Sequence, residues 1–232
     1  MEKLRYEFLV AIAKAFRAYN RKGGARSTKK LEPIHRFLAK TILREIGNNF
    51  SVKSLGFGDG KEAKLEGKYY TKDLDIAIVK HEKIITTVSF KFVTSNYKQN
   101  ANNYFEGMMG ETANIRRKNV GFAHFLVLRG HTPYYSKNKG NLRGKEQKIE
   151  KINDKDLQKY IKLFKDADFP HKPDLMGICV IDFDRKGVPV FVDFRDFDFS
   201  QETQAILASD FSLEGFLNKL THFIGYKDSL FS

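Results

Sequence analysis

A layered α/β fold with a mixed central β-sheet flanked by helices is what this sequence predicts. Two amphipathic periodicities open the chain, and paired strand-like runs fill its middle. The uninterrupted apolar run from Phe122 to Leu128 then reads as a strand buried on both faces. Helices alternate with strands beyond it, which is the pattern of helices layered on a sheet. The chain is read as one domain over residues 1–232, with an N-terminal helical part (about residues 1–48) on or beside the core.

Leu4, Phe8, Ile12, Phe16 and Tyr19 recur at three- and four-residue spacing and mark the first helix. Arg21 to Lys30, with Gly23-Gly24, reads as an exposed basic loop. A second helix runs from Pro33 to Ile46, proline being favourable at a first helical position and Gly47 ending it. Phe57 to Gly60 is a glycine-rich turn, followed by a strand-like run through Tyr69 and Tyr70. Asp73 to Val79 and Ile84 to Val93 form a hairpin around His81-Glu82-Lys83. Asn100 to Arg117 is a helix whose Tyr104, Met108 and Ile115 face a core. After the strand at Phe122, Arg129 to Lys151 is polar, basic and dotted with glycine. A helix from Asp154 to Phe164, strands at Leu175 to Phe183 and Val188 to Phe194, and a helix from Leu213 to Ile224 complete the order.

The chain carries 41 Lys and Arg against 28 Asp and Glu, a net charge of +13, so its field attracts polyanions. Hydrophobic residues make up 41%, which excludes global disorder. The single cysteine, Cys179, cannot form an intrachain disulfide and sits in an apolar run as a buried thiol. No His/Cys cluster has zinc spacing, and His35, His124 and His222 read as core histidines. No apolar run reaches the roughly 20 residues of a membrane span, and the N-terminus is unlike a signal peptide. A cytoplasmic protein without membrane association is expected.

Asp75 opens an otherwise apolar strand, where a carboxylate has use as a metal ligand, and Asp73 shares its face. Ser89 and Lys91, two apart on the partner strand, point together. A divalent ion polarises a phosphate and acidifies water. A lysine beside it orients the water and stabilises developing charge.

An Asp at a strand start, then a strand carrying an acid, any residue and Lys, resembles the PD-(D/E)XK nuclease superfamily, and within it type II restriction endonucleases. The match covers about Asp73 to Leu128, with Asp75 as the aspartate and Lys91 as the lysine. Leu74 replaces the usual residue before the aspartate, and Ser89 stands where an acid is usual. Either the carboxylate has migrated to the following helix, where Glu106 and Glu111 lie and Glu106 is the preferred donor, or Ser89 is an inactivating replacement. Glu45 on the second helix is a further carboxylate candidate, with Glu32 and Glu62 comparable.

The resemblance implies Mg²⁺, with Mn²⁺ as a substitute, on Asp75, Glu106 and the backbone carbonyl of Phe90. Lys91 would position the water and Ser89 would line the site. It implies a homodimer in a prokaryotic cytoplasm, acting on double-stranded DNA to leave 5′-phosphate ends, a two-fold enzyme matching a palindrome. The terminal helices offer dimer surfaces. Asn96, Lys98, Gln99, Asn100 and Asn103 are candidate DNA contacts, since amides pair with adenine edges or bond phosphates. Lys137, Lys139, Arg143 and Lys145 suit a backbone clamp. A repair or junction nuclease of the same fold is the nearest alternative, and a catalytically inactive DNA-binding protein is the third.

Overall fold

The computed structural model describes residues 1–20, 28–136 and 145–230. Helix α1 (Glu2–Asn20) leads through a short 3-10 turn to α2 (Glu32–Ile46) and strand β1 (Ser51–Ser54). A small hairpin, β2 (Ala63–Glu66) and β3 (Thr71–Leu74), precedes β4 (Ile76–Lys80) and β5 (Lys83–Phe92). Helix α3 (Tyr97–Arg116) crosses to β6 (Gly121–Arg129). A second small hairpin, β7 (His131–Tyr135) and β8 (Glu146–Lys151), comes before α4 (Asp154–Lys165) and β9 (Leu175–Phe183). The chain closes with β10 (Pro189–Phe191), α5 (Gln201–Ala208) and α6 (Leu213–Ser229).

The six-stranded sheet has the order β1-β4-β5-β6-β9-β10. The pairs β5-β6 and β6-β9 are parallel, and β1-β4, β4-β5 and β9-β10 are antiparallel, so the sheet is mixed as the sequence predicts. β6 lies inside it, and residues Phe122–Leu128 are all buried, which is why that run carries no polar alternation. His81 and Glu82 both take positive φ, 46° and 64°, and close the β4–β5 hairpin as a two-residue turn.

One face of the sheet is covered by α1, α2 and α6. Phe8, Ile12, Ile34, Leu38, Phe216 and Ile224 pack there against Val88, Phe90, Phe125 and Val127. The other face carries α3, α4 and α5, with Met108, Leu157, Tyr160, Ile161 and Phe211 on Leu126, Leu128, Ile178 and Val180. Phe125 is the hub of the first face, with ring contacts to Phe8, Phe90 and Phe216. Gly177 passes beneath it, where a Cβ would stand 2.4 Å from the Phe125 ring.

Several elements depart from the sequence expectation. The polar stretch after Arg129 holds the β7–β8 hairpin, whose ladder pairs His131 with Lys151 and Pro133 with Ile149. Helix α5 was not anticipated, its eight residues being too few for a periodicity. The apolar stripes of α1 and α6 are consumed within the protomer, so they supply no ground for a dimer surface. His222 is exposed on α6 instead of buried. Cys179 is buried as expected. Among the described residues no helix is long and apolar enough to cross a membrane.

Phe125→Ala removes the hub of the first core face. It is expected to lower unfolding free energy by about 3–5 kcal/mol, read from urea denaturation followed by circular dichroism.

Candidate active site

Asp75 occupies the single residue between β3 and β4, where the chain leaves the β2 ladder and enters the main sheet. Two hydrogen bonds fix it there. The Ser54 hydroxyl donates to its carbonyl at 2.6 Å, and the Phe90 amide donates to its carboxylate at 2.7 Å. The Ser89 hydroxyl lies near the same carboxylate and favours its charged form. A residue's N–H and C=O leave a strand on the same side, so the Phe90 carbonyl also faces Asp75.

Ser89 and Lys91 alternate with buried Val88 and Phe90, so they leave β5 on the face that carries α3. The Lys91 ammonium lies 5.3 Å from the centre of the Tyr104 ring on that helix. The carboxylate that α3 turns toward Asp75 is Glu111. It pairs with Lys72 of β3 at 3.4 Å, and the nearby Ser89 hydroxyl favours its charged form. Ser89 thus stands near both carboxylates.

The expected donor, Glu106, is exposed and acts on Lys159 of α4. Five residues separate it from Glu111, about 140° around a helix, so the two cannot share a face. A signal for Glu111 was present in the sequence. Tyr104, Met108 and Ile115 mark the inward stripe of this helix, and Glu111 falls in phase with them.

On the other side of Asp75 the structure adds two residues. His35 from α2 and Glu62, just before β2, bring ligand atoms that lie with an Asp75 oxygen all within 4.8 Å of one another. His35 is 2% exposed, and neither ring nitrogen finds a hydrogen-bond partner among the described residues. A buried imidazole with two idle nitrogens carries a real desolvation cost. Of the three glutamates set beside each other on sequence grounds, Glu45 pairs with Arg44, Glu32 pairs with Arg36, and Glu62 reaches the site.

Asp75, Glu62 and His35 open into a cavity of about 370 Å³ walled also by Tyr19, Lys30, Lys91 and Tyr104. The acids in and beside it are under electrostatic stress. Burial pushes the Asp75 carboxyl above the ordinary range, against the Phe90 amide, Lys72, Lys91 and Ser89. Burial does the same to Glu62, with repulsion from Asp75 and Asp73 added. Glu111 is also raised by burial, partly offset by Lys72. Burial works against the charge on Lys72, yet Glu111 and Asp75 hold its pKa above normal. Lys30 is lowered by burial and by repulsion from Lys91. The donor set therefore fits a divalent cation: two mutually repelling carboxylates and a neutral imidazole. An ion about 2.1 Å from each donor needs separations of roughly 3–4 Å, a small closing of what is present.

The amide-rich segment has structural duties. Asn96 takes a left-handed φ of 52° and pins β7, its side chain donating to the Tyr135 carbonyl and accepting from the Tyr135 amide, both at 3.1 Å. Gln99 accepts from Asn96, and Asn100 donates to the Asn96 carbonyl. The Lys98 amide donates to Glu150, and its ammonium pairs with Asp156 at 3.6 Å. Asn103 and Lys145 are exposed, whereas Lys137, Lys139 and Arg143 lie outside the described residues. No protein-family model, curated protein or solved structure matches the chain.

Two buried imidazoles make stability pH-dependent. Burial depresses His35 to about 4, and burial with repulsion from Lys91 depresses His124 to about 3. Unfolded, both titrate near 6.5. The unfolded chain thus binds more protons as pH falls through that value, and the folded state loses stability down to the folded pKa. The raised carboxyls act in the opposite sense, so the difference between two proteins isolates one group. His124→Phe keeps the ring and removes the titration. Denaturation midpoints of the metal-free protein and this variant should diverge progressively in the variant's favour below about pH 6.5.

Proposed function

We propose that this protein is a metal-dependent nuclease that hydrolyses phosphodiester bonds of double-stranded DNA at specific sequences, in the manner of type II restriction endonucleases. The observation that carries the reading is a single cavity in which two carboxylates and an imidazole, Asp75, Glu62 and His35, stand beside the cations Lys91 and Lys30. The net charge of +13 supplies the attraction for a polyanion. The resemblance of the Asp75 to Lys91 hairpin to the PD-(D/E)XK pattern narrows the chemistry to phosphoryl transfer.

The ion, Mg²⁺ or Mn²⁺, would be held by Asp75 with Glu62 and His35. Bound there, it supplies polarisation of the phosphate and a water of lowered pKa. The protein does the rest. Phe90 and Ser54 hold Asp75 so that one carboxylate oxygen is left for a ligand. Lys91, propped on Tyr104, reaches the cavity as a point charge for the attacking water or a phosphate oxygen. Ser89 lies where an acid is usual, near both Asp75 and Glu111, the carboxylate that α3 delivers. On this reading the carboxylate missing at Ser89 is replaced from elsewhere in the fold, by Glu62 at the ion and by Glu111 beside Lys72, and the site is competent. Cleavage leaves a 5′-phosphate, and a homodimer would match a two-fold recognition sequence.

The test is incubation with plasmid DNA, with and without divalent ion, followed by mapping of the ends. Discrete fragments with 5′-phosphate ends are expected, and Asp75→Ala or Lys91→Ala should reduce the rate by about 100-fold or more. Glu111→Gln should fall with them, while Glu106→Gln should cleave like the parent protein. Nicking only at branched substrates would favour a repair or junction enzyme. Binding without cleavage, restored by Ser89→Glu, would favour an inactive DNA-binding protein.

Imidazole binds Mn²⁺ better than the harder Mg²⁺, whose preference is for oxygen. Calorimetric titration is accordingly expected to show tighter Mn²⁺ than Mg²⁺ binding. His35→Ala should weaken Mn²⁺ by about tenfold or more and Mg²⁺ by less.

A further inference from the structure

We propose that the tip of the β2–β3 hairpin is a second DNA-contacting element, which stacks tyrosine rings on an opened base step beside the cleavage site. Four observations combine. Tyr69 and Tyr70 are adjacent at the tip and 64% and 49% exposed. Their backbone is welded to α3 by Asn114, which is fully buried. Its side-chain oxygen accepts from the Tyr69 and Tyr70 amides at 2.8 and 3.2 Å, and its nitrogen donates to the Tyr70 carbonyl at 3.0 Å. Gly67 permits this approach, since a Cβ there would fall 2.2 Å from the Asn114 nitrogen. Exposed rings on a frame this rigid lose little freedom when they meet a ligand.

The surroundings suit a nucleic acid. Arg117 donates to the Tyr69 hydroxyl at 2.9 Å and lies over its ring, and it lines a shallow pocket with Phe169, itself 50% exposed, and with Asp168, whose charge is paired with Arg116. Lys64, Lys68 and Lys118 are exposed on the hairpin and at the end of α3. Aromatic faces interleaved with cations accept bases and phosphates together. A second copy of this chain is the poorer occupant of the tip, because it would set Lys64, Lys68, Arg117 and Lys118 against the same four cations.

The hairpin also has a fixed relation to the candidate active site. β3 runs directly from Tyr70 to Asp75, and Glu62 stands at the other foot. Five residues of strand span roughly 16 Å, or about five base-pair steps of duplex. The contact would therefore fall about half a helical turn from the scissile phosphate and hold the duplex in register with Lys91. Inserted rings unstack a step and bend the duplex, which adds contact area.

This inference rests on the nuclease reading, and the experiment separates the two. Binding of fluorescein-labelled double-stranded DNA is measured by anisotropy in Ca²⁺ with the full chain. The parent protein, Tyr69→Ala/Tyr70→Ala and Tyr69→Phe/Tyr70→Phe are compared, with thermal melts as a fold check. The alanine pair should lose about tenfold or more in affinity while the phenylalanine pair keeps it. 2-Aminopurine about five positions from the cut should brighten only with ring-bearing proteins. Equal affinity of the alanine pair, or equal loss in the phenylalanine pair, overturns the inference and leaves the nuclease reading standing. Absence of DNA binding by the parent protein removes both. A dimer that dissociates on alanine substitution, with DNA affinity unchanged, assigns the tip to a second copy instead.

Discussion

The hydrogen bond from the Phe90 amide to the Asp75 carboxylate is the constraint on which the candidate site depends. It exists because β3 and β4 meet at Asp75 while changing partners. β3 pairs with β2, and β4 pairs with β1 and β5. The residue at that handover has no ladder partner of its own, so its side chain can take the bond that the ladder would otherwise make. The Ser54 hydroxyl secures the carbonyl of the same residue. A half-buried carboxylate held by two strands, with one oxygen spoken for, is preorganised for whatever occupies the cavity.

Around it the protein keeps charges that do not balance among themselves. Asp75 and Glu62 repel each other, Glu111 is compensated in part by Lys72, and Lys30 and Lys91 repel each other across the mouth. Such arrangements cost stability, and they concentrate at sites of function because ligands supply the missing charge. His35 adds an idle buried imidazole to the same wall. A core histidine in this position would ordinarily find a backbone carbonyl. The contrast with Asn96 and Asn114 is instructive, since both are polar residues whose hydrogen-bonding groups are largely used within the fold.

How much of this was legible varies by residue. Asp75, Ser89 and Lys91 could be placed together from the two-residue period of strands and the short turn between them. β6 could be recognised from its apolar run. Helix α3 was recognised, but its phase was read wrongly for Glu106, although the stripe through Tyr104, Met108 and Ile115 pointed to Glu111. The amides from Asn96 to Asn100 looked like DNA contacts by composition. In the structure Asn96 spends its side chain on Tyr135, a partner distant in sequence that no local pattern reveals.

The alternation of helices and strands, the buried central strand, the positive field and the Asp75–Lys91 hairpin can all be read along the chain, because they follow from local periodicity and composition. Which other side chains meet Asp75 is set by packing between distant segments. His35 comes from a helix on one face of the sheet, Glu111 from a helix on the other, and Glu62 from the foot of a separate hairpin. Their convergence depends on how layers pack across the end of the sheet, and packing joins residues whose separation along the chain carries no periodic signal.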